Sequence, residues 1–165
     1  MALESNAAPD EKSSPFYANN EKVCKEWEKF ILERDGLING RYNAWSYSIK
    51  TKVKGNTTWL IDIERAQFSS GSLWMSSKKQ NLRETLTLKA LFKNTNCKPF
   101  KIKKGGFRER KASNPFQEKV LQLVQPGIDN QSLFRVEYKD NFLTIVFHHK
   151  NDWIEMAERA LAFES

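Results

Sequence analysis

Hydrophobic and polar residues alternate over two neighbouring stretches, 45–54 and 59–64. A period of two residues predicts strands that bury one face. The apolar positions are Trp45, Tyr47, Ile49, Val53, Trp59, Ile61 and Ile63. In the first stretch the positions between them hold serine and lysine, so its other face is expected to contact water.

The register of these two strands follows from which residues must be buried. A two-residue loop at 55–56 would place their apolar sets on opposite sides of the sheet, whereas pairing Val53 with Trp59 places both sets on one side. Burial should decide between the two registers. We therefore predict a loop of three or five residues, or a bulge. The same register places Lys50 opposite Asp62 on the solvent-exposed face.

The next part of the chain predicts a second hairpin. From Leu82 to Phe92 a helix would bring Lys89 onto the apolar side, so a strand fits better. Residues 99–103 predict a further short strand. Pro99 cannot donate to a strand ladder, which predicts that this strand lies at an edge of the sheet or begins there.

The clearest pattern lies in the last third, where 134–138 and 143–147 alternate on either side of Asp140-Asn141. A two-residue loop at this turn puts all their apolar residues on one face. The predicted cross-strand pairs are Phe134 with Phe147, Val136 with Ile145, and Tyr138 with Leu143.

Three segments have the three- and four-residue spacing of amphipathic helices. The first is predicted to be capped by Asn20 and to end at Gly36 in the left-handed conformation. The second begins at Asn114-Pro115 and ends near Pro126-Gly127, and the third is capped by Asp152.

The predicted fold class is α+β, an antiparallel sheet built from hairpins with amphipathic helices packed on one face. The predicted element order is α-β-β-β-β-α-β-β-α. Residues 1–19 have no hydrophobic periodicity and are expected to be a disordered tail. Residues 20–165 are expected to form a single domain.

Composition narrows the class of protein without naming a function. With 165 residues, of which 39% are hydrophobic and 12% aromatic, the chain is too apolar for a disordered protein. No apolar stretch approaches the ~18 residues of a membrane span, and the polar N-terminus lacks the pattern of a secretory signal. Two cysteines, Cys24 and Cys97, do not make a disulfide framework. We expect a small cytoplasmic domain of bacterial type.

The net charge of +7 is unevenly distributed. Residues 36–111 carry 17 Lys and Arg against 4 Asp and Glu, whereas the segments before and after each carry 5 against 8. Local charge governs attraction to polyanions, so the basic middle of the chain is the first place to look for a binding site.

The cations are densest in residues 98–111, where Glu109 is the single acidic residue. The candidate polyanion-binding residues are Lys98, Lys101, Lys103, Lys104, Phe107, Arg108, Arg110 and Lys111, extended by Lys50, Lys52 and Lys54. In this interpretation the cations neutralise phosphates and Phe107 stacks on a base. The alternative is that they keep an edge strand and a loop soluble.

A second candidate surface is the apolar triplet Leu73, Trp74 and Met75 within a serine-rich stretch. Such a triplet either anchors its loop on the core or docks a partner protein.

Catalytic signals are weak. His148 and His149 are the only histidines, and as neighbours on a strand they point in opposite directions, which disfavours a shared metal. Asp62 and Glu64 are predicted to lie opposite Lys50 and Ser48, which favours surface ion pairing over catalysis. Cys24 lies on an apolar helix stripe and is predicted to be a core thiol. We expect no catalytic residue, metal or cofactor.

Three functions remain as hypotheses. The leading one is a small binding protein that contacts nucleic acid or another polyanion, such as an acidic protein, through its basic central strand and loop. The second is a protein–protein interaction module that uses the 73–75 triplet or a sheet edge. The third is a small-ligand-binding protein or enzyme, which an enclosed pocket lined by His149, Asp62 or Glu64 would favour.

Overall fold

Strands and helices cover most of the chain in the computed structural model, which describes residues 3–69, 80–103, 114–148 and 153–165. The strands in these ranges are β1 (Leu3–Ser5), β2 (Leu37–Tyr42), β3 (Ser46–Lys54), β4 (Thr58–Ser69), β5 (Gln80–Leu91), β6 (Phe100–Lys103), β7 (Leu133–Lys139) and β8 (Phe142–His148). The helices are α1 (Pro15–Leu32), α2 (Pro115–Asp129) and α3 (Trp153–Leu161), with a short 3₁₀ helix at Glu11–Ser13.

In the described residues the strands form one eight-stranded sheet in the order β1-β2-β3-β4-β5-β8-β7-β6. β1 is parallel to β2, and every other neighbouring pair is antiparallel. The mixed helix and strand content and the mostly antiparallel sheet agree with the predicted fold class. The sequence pattern missed β1 and β2, so the observed order has two more strands than the predicted one.

The register predicted for β3 and β4 is confirmed. Val53 pairs with Trp59 and Lys50 pairs with Asp62, and a three-residue loop joins the strands. The C-terminal end of α3 rests on this loop, because the backbone N–H of Asn56 donates to the Leu161 carbonyl at 2.9 Å. Burial of two apolar strand faces therefore selected the pairing, as the pattern indicated.

The predicted second hairpin is wrong. β5 pairs with β4 and β8, whereas β6 pairs with β7 at the other end of the sheet. The connection that leaves β5 is held near β7 by Tyr138, whose hydroxyl donates to the Phe92 carbonyl at 2.7 Å. β6 does lie at an edge, as Pro99 predicts, but its partner is distant in sequence.

The predicted pairing of β7 and β8 is correct at the turn and wrong at the far end. Tyr138 pairs with Leu143 as predicted, but Phe147 pairs with Leu133 in place of Phe134. A register shift between Leu133 and Arg135 inserts one extra residue into β7. This bulge buries Leu133 and leaves Phe134 38% exposed.

The first helix begins earlier than predicted. Ser14 caps it by accepting a hydrogen bond from the backbone N–H of Phe16 at 3.2 Å, with Pro15 in the first turn. Asn20, the predicted cap, is buried within α1. Residues 3–19, where the pattern indicated no regular structure, contain β1, the 3₁₀ helix and the start of α1.

The left-handed residue after α1 is Asp35, with φ of 54°, and not Gly36 as predicted. Gly36 leaves no room for a side chain, because a Cβ there would lie 2.6 Å from Cγ2 of Ile31. The glycine therefore marks close packing at the helix end.

The second helix begins as predicted and ends later. The Asn114 side chain accepts from the backbone N–H of Phe116 at 2.8 Å, and the helix runs through Pro126 to Asp129. Pro126 has no N–H to donate to the Gln122 carbonyl. The guanidinium of Arg159 in α3 donates to this carbonyl at 2.9 Å. The carbonyl that Pro126 leaves unpaired in α2 is therefore hydrogen-bonded by α3.

Each helix region contacts a sheet residue whose side chain is buried. Nε1 of Trp27 in α1 donates to Oγ1 of Thr51 at 3.0 Å. Phe116 in α2 packs against Tyr138 with ring centroids 4.9 Å apart. Phe163, just after α3, packs edge-on against Trp59 at 6.4 Å. No helix in the described ranges is long and apolar enough to cross a membrane.

Trp45 was predicted to be buried and is 48% exposed. The Asn43 side chain accepts hydrogen bonds from the backbone N–H groups of Trp45 and Ser46, both at 2.8 Å. This side-chain turn delays the start of β3 until Ser46 and leaves Trp45 outside the strand alternation.

A largely buried ion pair lies beside the apolar core residues. Nε of Arg65 is 3.6 Å from Oε1 of Glu84, and their side chains are 15% and 8% exposed. Nη1 of Arg65 also donates to Oδ1 of Asn20 at 3.0 Å, and Nδ2 of Asn20 donates to the Asn43 carbonyl at 2.9 Å. This network ties α1 to β4, β5 and the turn before β3.

Candidate functional site

The strand positions that alternate with the core carry a second set of side chains, which we call the outer face. Residues paired directly across neighbouring strands project to the same side of a sheet, so the registers define its members. On the central strands they are Leu37, Asn39, Arg41, Ser48, Lys50, Lys52, Leu60, Asp62, Glu64, Thr85, Thr87, Lys89, Thr144, Val146 and His148.

Two rows of paired residues cross the outer face from β2 to β6. The first row is Leu37, Lys52, Leu60, Lys89, Thr144, Glu137 and Lys101. The second row is Asn39, Lys50, Asp62, Thr87, Val146, Arg135 and Lys103. Both rows therefore have cations near each end and only one carboxylate each.

A groove of about 620 Å³ lies on the outer face over β2 to β5, and we call it the lysine groove. The lining side chains that matter for its chemistry are Lys50, Lys52, Lys89, Asp62, Leu37 and Leu60. Leu37 is 71% exposed and Leu60 is 45% exposed, so apolar surface is accessible beside the charges.

The lysine groove is electrostatically positive, with three ammonium groups and one carboxylate. Burial raises the pKa of the Asp62 carboxyl above its usual value, while the Lys50 ammonium lowers it and the Glu64 carboxylate raises it further. Among the described residues, the ion pairs within 4.0 Å include none of the three groove lysines. The ammonium of Lys89 instead lies 4.7 Å from the ring centroid of Phe142.

The predicted polyanion-binding lysines are on the outer face but do not all meet. Lys50 and Lys52 line the groove on β3, whereas Lys101 and Lys103 lie on β6, five strands away along the sheet. At ~4.8 Å per strand this separation is about 24 Å. Lys101 also pairs with Glu137, with Nζ and Oε2 3.5 Å apart.

The remaining predicted cations have different placements. Lys54 is exposed at the end of β3, opposite Thr58 and outside the groove lining, and Lys98 is exposed before β6. The other candidates lie outside the described residues: Lys104, Phe107, Arg108, Arg110 and Lys111, as well as the docking triplet Leu73, Trp74 and Met75.

The candidate catalytic groups are not brought together. The His148 ring stacks on Phe134, and His149 lies outside the described residues. Within the described ranges no group of three or more His, Cys, Asp or Glu side chains could hold a metal ion. Cys24 is a buried core thiol, as predicted, and burial raises its pKa to about 12, with smaller contributions from Glu28 and Glu21.

Three groove residues were not singled out from the sequence. Lys89 was detectable, because it alternates with the buried Leu88 and Ala90. Leu37 was not detectable, because β2 has the sequence LINGRY, and asparagine and glycine inside so short a stretch are typical of turns. Leu60 follows from the β4 alternation, because it lies between the buried Trp59 and Ile61, but it was not considered.

Comparisons of the chain with protein-family models, with curated proteins and with solved structures found no match. The assignment of a function to the lysine groove therefore depends on its own chemistry.

Proposed function

We propose that this protein binds single-stranded nucleic acid, and that the lysine groove is the main contact with the phosphate backbone. The observation that carries the proposal is the presence of Lys50, Lys52 and Lys89 around one groove that holds a single carboxylate, with no ion pair to any of the three within 4.0 Å in the described part of the chain. Lysine ammonium groups that are free to replace counterions of a polyanion give affinity without base specificity.

The distribution of charge supports an extended ligand over a small anion. Arg135 and Lys103 continue the second row beyond the groove, and Lys101 lies in the first row. A chain of phosphates that crosses the strands can contact both groups, whereas a small anion can contact only one of them.

The proposal has a structural corollary. The helices would all cover the core face of the sheet, which would leave the lysine groove accessible, and the protein would act in the cytoplasm, where nucleic acid is available. The exposed Leu37 and Leu60 would then pack against sugars or bases between the phosphate contacts.

The salt dependence of binding tests the proposal. Fluorescence anisotropy should show that a labelled oligothymidylate binds, with a logarithm of the binding constant that falls linearly with the logarithm of salt concentration. Replacing Lys50, Lys52 and Lys89 together with glutamine should make this slope less negative by about 2, because each lysine–phosphate contact in a single strand contributes about 0.7. Asp62→Asn removes the groove carboxylate and should strengthen binding.

A matched control separates position from net charge. Lys25, Lys29 and Lys119 are exposed on α1 and α2, and their replacement with glutamine removes the same charge away from the groove. This control should keep the wild-type slope. Absence of binding at low salt, equal slopes for the two triple variants, or equally tight binding of polyglutamate would each overturn the proposal.

A further inference from the structure

The bulge in β7 turns a large aromatic side chain away from the core. Regular alternation would bury Phe134, and the register shift between Leu133 and Arg135 exposes 38% of it instead. Bulges commonly redirect a side chain beside a functional site, and the added residue interrupts the strand ladder. An exposed phenylalanine at such a position needs an explanation other than core packing.

The Phe134 ring is held in a defined orientation by His148. The two ring centroids are 4.0 Å apart and their planes differ by 15°, so the rings are stacked. His148 belongs to the outer face, where its Cα pairs with Thr85 of β5. The aromatic pair is therefore on the same side of the sheet as the lysine groove.

The pair lies close to the groove along the second row. Thr87, which lines the groove, pairs with Val146, and Val146 pairs with Arg135 beside the bulge. Two strand spacings, about 10 Å, separate β5 from β7, and the four residues from Lys89 to Thr85 add about 13 Å along β5, so the pair lies about 16 Å from Lys89. A strand of a few nucleotides can span this distance, so a phosphate on Lys89 and a base on Phe134 are compatible.

A cation stands next to the aromatic pair. Nε of Arg135 is buried and has no hydrogen-bond partner among the described residues. Aromatic faces that accept bases, next to guanidinium and ammonium groups that accept phosphates, are the two components of single-strand recognition.

We propose that Phe134 and His148 form a base-stacking platform for single-stranded nucleic acid that binds across the outer face. This inference depends on the proposed function and adds the contact that distinguishes nucleic acid from other polyanions. Stacking on a flat ring is tolerant of base identity, so the platform contributes affinity for any strand with accessible bases.

The test compares an oligothymidylate of about 15 nucleotides with an abasic oligonucleotide of the same length and charge. Phe134→Leu keeps apolar cover at the bulge but removes the flat ring, and Phe134→Tyr keeps the ring. We expect Phe134→Leu to weaken binding of the oligothymidylate about tenfold, with the salt slope unchanged, and Phe134→Tyr to have almost no effect. The abasic oligonucleotide should bind the wild type and Phe134→Leu equally.

The outcomes separate this inference from the proposed function. If the groove variants change the salt slope but Phe134→Leu binds oligothymidylate like the wild type, the base-stacking proposal is wrong and the proposed phosphate contact at the groove stands. Equal affinity of the wild type for the abasic and thymidylate strands overturns stacking without any variant. Failure of every oligonucleotide to bind overturns both. Circular dichroism melting of each variant shows whether the fold is retained.

Discussion

Replacing Glu84 with alanine is expected to lower the free energy of unfolding by about 3 kcal/mol, because it leaves a largely buried guanidinium without its counter-charge. Arg65 is 15% exposed at its side chain and has Glu84 as its ion-pair partner at 3.6 Å. Urea denaturation followed by circular dichroism measures this loss. The effect is large because the desolvation of Arg65 is no longer compensated, whereas the contact with Asn20 is neutral.

A double variant identifies the cause. Replacing Arg65 with methionine and Glu84 with leucine removes both charges and should restore most of the stability lost in Glu84→Ala. If the losses of Arg65→Met and Glu84→Leu measured singly add up to that of the double variant, or if Glu84→Ala costs less than about 1 kcal/mol, the ion pair does not contribute as described above.

Gly40→Ala is expected to destabilise the protein by about 3 kcal/mol, because the new methyl group would collide with the backbone of β3. A Cβ at this position would lie 2.3 Å from the Ser48 carbonyl oxygen and 2.8 Å from Cα of Ile49, and the residue has φ of 157°. These are backbone atoms of a paired strand, so β2 would have to separate from β3. Denaturation measures the loss, and faster hydrogen exchange in β1 and β2 locates it.

Asn39→Ala provides the matched control for Gly40→Ala. Asn39 precedes Gly40 in β2 and is exposed, so its truncation should change stability by no more than about 0.5 kcal/mol. Equal stability of Gly40→Ala and the wild type would mean that β2 does not pack against β3 as closely as the structure has it.

Local patterns in the sequence predicted the parts of the fold that local physics determines. The β3–β4 register followed from burial, and the start of α2 followed from the capping chemistry of Asn114 and Pro115. The amphipathic spacing of α1 also predicted correctly that Cys24 lies in the core. Each depends on residues that are close in the chain.

The errors have identifiable physical causes. β6 pairs with β7 and β5 pairs with β8, and such distant partners leave no signal in a single alternating stretch. The bulge at Phe134 inserts one residue that periodicity cannot reveal. Asn20 resembles a helix cap but is instead used to bond the turn before β3 and to contact Arg65.

The candidate site was predictable only in part. Lys50 and Lys52 were identified from their place on the wet side of β3, and their grouping with Lys89 needed the three-dimensional register. We propose the groove, and not residues 98–111, as the main contact with nucleic acid, because Lys101 and Lys103 lie at the far end of the sheet from Lys50 and Lys52. A role for Lys104, Phe107, Arg108, Arg110 and Lys111 stays a prediction, as does docking through Leu73, Trp74 and Met75.

The most direct test of the lysine groove is a methyl NMR spectrum of the ¹³C-leucine-labelled protein during titration with oligothymidylate. Leu37 and Leu60 are in the groove, and Leu32 is 50% exposed on α1, so one spectrum contains both the site and an internal control. We predict that the methyl signals of Leu37 and Leu60 shift in proportion to occupancy while those of Leu32 stay in place. Saturable binding that shifts Leu32 and leaves Leu37 and Leu60 unchanged would contradict binding at the groove.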